Sequence, residues 1–238
     1  MPAGPAGADG DGFQAALARS YGRGAALHEL GDVLSWFTET KALHDVTTRT
    51  VPLREVAGWC VSAAEIAHRD GRYFSVVGVE VEATSREVSH WTQPLIAPHG
   101  LGVVAFLLKR IRGVLHLLVH ARVEAGYLDV VELGPTVQCV PGNYPDAATR
   151  PLFLDYVEAA GAAQVRYSAI LSEEGGRFYQ AQSRYSLIET GEEFPLEVPP
   201  GYRWMTADQL EGLLKHNNYL NVQARTLLVA LAALGSRR

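Results

Sequence analysis

The stretch that decides the fold runs from Gly113 to Tyr144 and reads GVLHLLVHARVEAGYLDVVELGPTVQCVPGNY. In its first part, Val114–Glu124, apolar residues recur at every second position, which is typical of a β-strand with one buried face. That face carries Leu115, Leu117, Val119, Ala121 and Val123. The opposite face carries His116, Leu118, His120, Arg122 and Glu124. Two imidazoles, a guanidinium and a carboxylate on one strand face indicate acid–base chemistry or anion binding.

Strand patterns continue on both sides of this stretch. The predicted strands are Tyr73–Glu82, Val88–Ile96, Val103–Ile111, Val114–Glu124, Val130–Val140, Val165–Leu171 and Phe178–Ile188. Tight-turn pairs stand between neighbouring extended segments at Asp70-Gly71, Arg112-Gly113 and Gly175-Gly176. Such pairs are typical of β-hairpins, so we expect mainly antiparallel neighbours.

Helical patterns lie towards the two ends of the chain. The predicted helices are Phe13–Tyr21, Ala26–Phe37, a helix from Thr206 through Lys215, and Val222–Leu234. Thr206 and Gln209 have the spacing of a capping box, and Asn221 is predicted to cap the last helix. Strands followed by helices predict an α+β fold with a mainly antiparallel, mixed sheet.

Length and composition are those of an ordinary globular protein. The chain has 238 residues, 47% of them hydrophobic and 20% charged, with a formal net charge of −5. This charge opposes binding to nucleic acids or anionic membranes, which requires a positive field. Residues 1–12 are predicted to be a disordered tail and residues 13–238 one domain. Without a signal-peptide pattern or a membrane-length apolar run, a cytoplasmic protein is predicted.

The sequence contains no convincing example of a common catalytic or cofactor-binding motif. The segment from Gly100 to Ala105 fits a loose dinucleotide pattern, but it continues into a hairpin instead of a helix. The sequence lacks a phosphate-binding loop, a nucleophile elbow, a zinc-binding H-E-x-x-H motif and the glutamate-rich Nudix signature. We therefore expect neither a metal nor an organic cofactor.

A second predicted strand extends the polar surface. In Phe178–Ile188, one face carries Gln180, Gln182 and Arg184. This strand and Val114–Glu124 could line one polar cavity, to which other residues add stacking surfaces and hydrogen-bond donors: Trp91, Gln93, Gln138, Asn143 and Tyr144. For each residue taken alone, a solvated sheet face or core packing is the alternative interpretation.

Spaced landmarks run through the sequence from Trp36 to Leu231. They include Gly58-Trp59, His68, Asp70-Gly71-Arg72-Tyr73-Phe74, Trp91-x-Gln93-Pro94, Gly113-x-x-His116, Pro135-Thr136-Val137-Gln138, Asn143-Tyr144, Tyr202-Arg203-Trp204 and Asn221-x-x-Ala224-Arg225. Together these landmarks resemble one repeat of the NDP-hexose 2,3-dehydratase family. That family resembles Nudix hydrolases in fold but lacks their metal-binding helix, so the resemblance implies a Nudix-like sheet. The resemblance implies a lyase of natural-product biosynthesis that eliminates water across C2–C3 of an NDP-4-keto-6-deoxyhexose.

Two features depart from the family pattern. Family chains usually carry two repeats in tandem, whereas this chain has one, so a homodimer is expected to supply the second lobe. Where the family usually has Q-A-K-x-E, this chain has His120-Ala121-Arg122-Val123-Glu124. The family's pocket residues are therefore carried over only at Trp91, Gln93, Glu124, Gln138 and Tyr144.

Removing water beside a ketone requires a base for the α-proton, a donor for the enolate oxygen and an acid for the departing hydroxyl. His120 is the predicted base because imidazole titrates near neutral pH, with Glu124 orienting or replacing it. Tyr144 is the predicted acid, and Gln138 the enolate donor. The predicted substrate-binding residues are Trp91, Gln93, His116, Arg122, Gln138, Gln180 and Arg184, with Arg122 and Arg184 clamping an anion.

Three functions fit this sequence. The first is a sugar 2,3-dehydratase that acts on a nucleotide sugar as a homodimer. The second is a divergent tailoring enzyme that dehydrates or cyclises a polyketide-like substrate. The third is a non-catalytic subunit that pairs with a partner carrying the other repeat.

Overall fold

The computed structural model describes residues 10–24 and 26–236, within which it has five α-helices and eleven β-strands. The helices are α1 (Gly10–Ser20), α2 (Leu30–Leu43), α3 (Leu154–Ala159), α4 (Ala207–Leu213) and α5 (Val222–Gly235). The strands are β1 (Trp59–Val61), β2 (Glu65–His68), β3 (Phe74–Glu82), β4 (His90–Pro98), β5 (Gly102–Ile111), β6 (Val114–Val123), β7 (Val131–Gly134), β8 (Val137–Cys139), β9 (Val165–Ser172), β10 (Gln182–Glu189) and β11 (Tyr202–Met205). The predicted α+β class is confirmed.

The strands form two sheets. The first is antiparallel with the order β1-β2-β3-β4, and its β2–β3 connection contains the predicted Asp70-Gly71 turn. The second has the order β11-β6-β5-β10-β9, with β7 paired to β6 and β8 paired to β5. Strand β10 is parallel to β5 but antiparallel to β9, so the second sheet is mixed.

The hairpin of β5 and β6 separates part of the way along its length. Its turn residues Arg112 and Gly113 both have positive φ, as a two-residue hairpin turn of this kind requires. The two strands pair only between the turn and the Leu108–Leu117 pair. Beyond that pair, β8 lies beside β5 and β7 lies beside β6. We call this point of separation the fork.

Thr136 occupies the fork. Its Oγ1 accepts a hydrogen bond of 2.9 Å from the Leu107 N–H and donates to the Leu118 carbonyl. The hydroxyl thereby replaces hydrogen bonds that the diverging strands no longer make to each other. The prediction of one strand over Val130–Val140 is wrong, because the chain interrupts it at Pro135, which has no N–H to donate to a ladder.

The second sheet has a core on each of its faces. On one face, α1, α2, α4 and α5 pack over residues that include Phe106, Leu117 and Leu187. A smaller cluster on the other face contains Leu118 and Trp204. The predicted alternation along β6 is confirmed, and burial of each large apolar side chain contributes about 1.5–3 kcal/mol.

The helix predictions hold best where a capping residue marks the start. The capping box of α4 and the Asn221 cap of α5 are both present. Helix α1 begins at Gly10, inside the predicted tail, while residues 1–9 of that tail lie outside the described residues. Among the helices described, none combines the length and apolarity needed to cross a membrane.

Candidate functional site

A groove of about 340 Å³ opens where β6 ends, beside β8 and the start of β10. It brings together four predicted site residues, namely Arg122, Glu124, Gln138 and Tyr144. Two glycines allow this close arrangement. A Cβ on Gly102 would lie 2.3 Å from Ser183 Oγ, and one on Gly134 would lie 2.6 Å from Arg122 Cδ.

Arg122 and Glu124 form an ion pair at the edge of the groove. Arg122 Nη2 donates to Glu124 Oε1 at 2.6 Å. The arginine side chain is only 17% exposed, whereas that of the glutamate is 45% exposed. The buried guanidinium therefore holds a carboxylate that remains accessible from the groove.

The amide of Gln138 is oriented by Asn221. Asn221 Oδ1 accepts from the Ala224 N–H at 2.8 Å to cap α5, which turns Asn221 Nδ2 towards Gln138 Oε1, 2.8 Å away. Because Oε1 of Gln138 faces Asn221, its NH₂ must point elsewhere. Across the described chain this NH₂ has no hydrogen-bond acceptor, and Gln138 lines the groove. Gln138 thus offers a donor to a groove ligand.

Tyr144 supplies a protonated hydroxyl. Burial raises the pKa of Tyr144 above its ordinary value, and the nearby Cys139 raises it further. Burial also raises the pKa of the Cys139 thiol to about 11. Both groups are therefore neutral at pH 7. The acidic and basic side chains that line the groove are Arg122, Glu124 and Glu173.

His120 is not among the residues that line the groove. Its ring stacks on Tyr202 of β11, with centroids 4.2 Å apart and an interplanar angle of 11°. Burial, and then the charge of Arg122, lower the pKa of His120 to about 4. A neutral imidazole of such low basicity accepts a proton poorly, so this geometry does not favour His120 as the base.

His116 is also placed away from the groove. Its Nδ1 donates to the Val114 carbonyl, and its Nε2 accepts from the Leu27 N–H, both at 3.0 Å. The side chain is buried with both nitrogens engaged, so the structure does not bring this predicted substrate-binding residue into the groove. Its observed contacts attach the segment before α2 to β6.

The remaining four predicted residues are likewise not brought into the groove. Trp91 Nε1 donates to Gln93 Oε1 at 2.7 Å, and Gln93 Nε2 donates to the Gly176 carbonyl at 3.0 Å, so this pair joins β4 to the β9–β10 turn. Strand β10 begins at Gln182, later than predicted, which leaves Gln180 exposed in the turn with a φ of 50°. Arg184 is exposed and does not join Arg122.

The sequence interpretation treated Asn221 only as a helix cap and missed its second contact. The contact with Gln138 could have been anticipated from the amide group, because an asparagine cap that accepts through its oxygen still has two N–H groups to donate. Within residues 10–24 and 26–236, no three His, Cys, Asp or Glu side chains are grouped to hold a metal ion.

A larger cavity, of about 620 Å³, lies beside β5 and β10. There the buried Glu189 accepts hydrogen bonds from both Arg110 and Arg166. The carboxylate offsets the charge of these guanidiniums, as expected of a structural ion-pair network. None of the predicted site residues lines this cavity, so the groove is the candidate site.

Comparisons with known proteins agree on one family. Residues 30–231 match the family model described as NDP-hexose 2,3-dehydratase. A dTDP-4-dehydro-6-deoxy-alpha-D-glucopyranose 2,3-dehydratase of Saccharopolyspora spinosa is 50% identical over 224 residues, which are 93% of this chain and 46% of that protein. An enzyme of the same name from Amycolatopsis orientalis is 51% identical over 89% of this chain and 45% of its own.

The chain thus spans about half the length of the curated relatives it matches. Among solved structures, an ADP compounds hydrolase is 13% identical, with a TM-score of 0.43 over 78% of this chain and 95% of that one. At this TM-score the likeness carries no further conclusion.

Proposed function

We propose that this chain, which belongs to the NDP-hexose 2,3-dehydratase family, is a lyase that eliminates water across C2–C3 of an NDP-4-keto-6-deoxyhexose. The observation that carries this proposal is the groove, where a carboxylate, an amide donor and a neutral phenol meet. The names of the relatives support dTDP-4-keto-6-deoxyglucose as the substrate. The product would belong to a deoxysugar pathway of antibiotic biosynthesis.

The groove can supply each proton transfer of the elimination. Glu124 takes the proton from C3, which is acidic because it lies beside the C4 ketone. The NH₂ of Gln138 donates to the charge that develops on the ketone oxygen. As the carbonyl re-forms and C2=C3 closes, Tyr144 protonates the departing C2 hydroxyl, which leaves as water. The enol left at C3 then tautomerises to a ketone, which gives a 3,4-diketo sugar.

We propose Glu124 as the base in place of His120. Glu124 lines the groove and is held by Arg122, whereas His120 is stacked against Tyr202 outside it. Arg122 is a positioning residue, and its planar fork fixes a carboxylate more firmly than an ammonium could. The elimination transfers protons and releases water with no net oxidation or reduction, so we propose a reaction that requires neither a metal nor a redox cofactor.

We further propose that residues 13–238 form one domain and that two copies act as a cytoplasmic homodimer. Exposed apolar side chains in and before the first sheet, among them Leu53 and Val61, support the pairing of copies. Ile96 of β4 forms backbone hydrogen bonds with Arg177 and Tyr179 in the β9–β10 connection, which supports a single domain.

The test is turnover of dTDP-4-keto-6-deoxyglucose by the purified protein, followed as loss of water by mass spectrometry. We expect Glu124→Gln to lower kcat by about 10²–10⁴-fold, because it removes the base without removing the side chain. Glu132→Gln is the matched control on β7, outside the groove lining, and should turn over like the unsubstituted protein. Equal activity of both variants would contradict the assignment of Glu124.

The two other functions predict different outcomes of one experiment. A non-catalytic subunit would bind thymidine diphosphate without dehydrating the sugar. A tailoring enzyme for polyketide-like substrates would show no shift in melting temperature with millimolar thymidine diphosphate. A ligand at 100 times its Kd stabilises the folded state by about 2.7 kcal/mol, so nucleotide binding would be readily seen.

A further inference from the structure

A cavity of about 560 Å³ lies beside β11, the strand at one end of the second sheet. We call it the edge cavity. One of its walls is formed by residues 196–200, which we call the strap. The other lining residues are Leu27, His28, Tyr202, Arg203 and Trp204. The proposed elimination uses none of these residues, so the edge cavity is available for another purpose.

Two tryptophan indoles hold the strap in place. Trp36 Nε1 donates to the Pro200 carbonyl at 2.8 Å, and Trp204 Nε1 donates to the Leu196 carbonyl at 3.0 Å. Pro199 and Pro200 have fixed φ angles, which further limit the conformations of this segment. The strap is thus fastened at both of its ends, and a ligand would bind without the cost of ordering a loop.

The lining of the edge cavity is mostly apolar. Its apolar side chains are Leu27, Leu196, Val198, Pro199, Pro200 and Trp204. Burial lowers the pKa of His28, and the charge of Arg203 lowers it further, so His28 is neutral at pH 7. The acidic side chain of the lining, Glu197, is exposed to solvent. A ligand inside the cavity would therefore contact apolar walls and one half-buried cation, Arg203.

The guanidinium of Arg203 has no counter-ion. Its Cζ lies 5.1 Å from the centre of the Trp36 ring, which is a cation–π contact. Within residues 10–24 and 26–236, however, Arg203 forms no ion pair and donates no side-chain hydrogen bond. Its Nε is enclosed by protein, whereas its two terminal Nη groups are not. Because a half-buried donor without an acceptor is costly, an anion beside these Nη groups would stabilise the protein.

We propose that the edge cavity binds an apolar carboxylate. The two carboxylate oxygens accept from the Nη groups of Arg203, whose planar fork matches them, and the hydrocarbon part lies along the strap. An apolar lining with few polar groups is typical of small-molecule sites of this volume. A phosphate fits less well, because its second negative charge would lie near Glu197 and its body offers nothing to the apolar walls. The site is independent of the proposed lyase activity.

The first test compares three ligands on the unsubstituted protein by calorimetric titration at pH 7.5. Sodium octanoate has both a carboxylate and a hydrocarbon chain, whereas 1-octanol lacks the charge and sodium acetate lacks the chain. We expect octanoate to bind at least about tenfold more tightly than either, since only octanoate makes both kinds of contact. Equal affinity for octanol, or no binding of octanoate at millimolar concentration, overturns the proposal.

The second test removes the cation. Arg203→Met keeps a long unbranched side chain but has no guanidinium, so we expect Kd for octanoate to rise at least about tenfold and Kd for octanol to stay within about twofold. Arg54→Met is the matched control, because the Arg54 side chain is 82% exposed and lies outside the edge cavity. It should bind octanoate like the unsubstituted protein. Melting temperatures without ligand control for folding, and an unchanged Kd in a folded Arg203→Met overturns the proposal.

A third test locates the ligand without any substitution. The chain has four tryptophans, and the indole N–H groups of Trp36 and Trp204 are the two that hold the strap. In ¹⁵N-labelled protein, octanoate should shift the indole resonances of these two residues and leave those of Trp59 and Trp91 unchanged. Shifts at Trp59 or Trp91 instead would place octanoate on the first sheet and overturn the proposal. None of these results depends on turnover of the sugar.

Discussion

Asn221 connects a helix end to the groove through one side chain, so its cap of α5 and its contact with Gln138 can be separated by substitution. Asn221→Ser retains a hydroxyl that can cap α5 but loses the amide that orients Gln138. We expect kcat to fall about tenfold with little change in KM, because Gln138 can then turn its oxygen towards a developing negative charge. Steady-state kinetics measures both parameters.

A double variant separates this positioning role from a general loss of structure. If Asn221 acts through Gln138, then Asn221→Ser should have no further effect on kcat in a Gln138→Leu background. Losses that multiply in the double variant would show that the two residues act independently.

His120 should affect stability at low pH more than catalysis. Its pKa is about 4 in the folded protein and ordinarily 6.5, so between these values the unfolded chain binds a proton that the folded chain does not. The free energy of unfolding therefore falls as the pH decreases from 6.5 to 4, by up to about 3 kcal/mol. His120→Phe keeps the ring stack on Tyr202 and should reduce this fall, as measured by urea unfolding at several pH values.

The buried His116 has a pKa lowered in the same direction and remains in this variant, so part of the pH dependence should persist. An unchanged pH slope in His120→Phe would show that His120 is not the titrating group.

Single residues show how far the sequence could predict the site. Alternation along β6 placed Arg122 and Glu124 correctly on one face, because side-chain period is a local property of a strand. The same alternation could not show that Tyr202, from a segment distant in sequence, covers His120. The order of strands in a sheet is set by long-range pairing, and this order determines whether the imidazole of His120 faces the groove or stacks on a neighbouring ring.

At the scale of elements, the fork depends on the hydroxyl of Thr136. Thr136→Val keeps the shape of the side chain but leaves the buried Leu107 N–H and Leu118 carbonyl without their partner. Each unsatisfied group costs about 1–3 kcal/mol, so we expect the free energy of unfolding to fall by about 2–4 kcal/mol. Urea denaturation measures the change.

Thr226→Val is the matched control for this prediction. Thr226 Oγ1 donates to the Val222 carbonyl within α5, where that carbonyl also serves the helix ladder. Its loss should change stability by less than about 0.5 kcal/mol. Similar losses in both variants would argue that the Thr136 hydroxyl has no special role.

Element prediction succeeded where the signal was local. Hairpin turns and helix caps depend on a few adjacent residues, which explains why Arg112-Gly113, Thr206 and Asn221 were placed correctly. The short strands β1, β2 and β11 were missed, since three or four residues carry too little alternation to recognise. The parallel pairing of β10 with β5 also has no local signature.

At the scale of the whole molecule, apolar side chains remain exposed in and before the first sheet. They are Leu43, Leu53, Val61 and Val88. If two copies pair through this region, sedimentation equilibrium should give twice the mass of one chain. Val61→Asp should then shift the protein towards the monomer, because the dimer would bury a charge.

Val229→Asp is the control for the dimer, since Val229 is exposed on α5, away from the first sheet. This variant should keep the mass of the unsubstituted protein. If the unsubstituted protein has the mass of a monomer, the homodimer proposal is overturned. If only Val229→Asp is a monomer, the dimer interface lies on α5 and not on the first sheet.

The fork also has a consequence for amide hydrogen–deuterium exchange. Strands β7 and β8 pair with their neighbours over only four and three residues, so brief local opening there breaks few bonds. Their amides should exchange sooner than those in the middle of β5 and β10. A ligand bound in the groove should slow exchange most in β8, whose Gln138 and Cys139 line the groove. Exchange measurements could therefore locate a bound ligand before its chemistry is known.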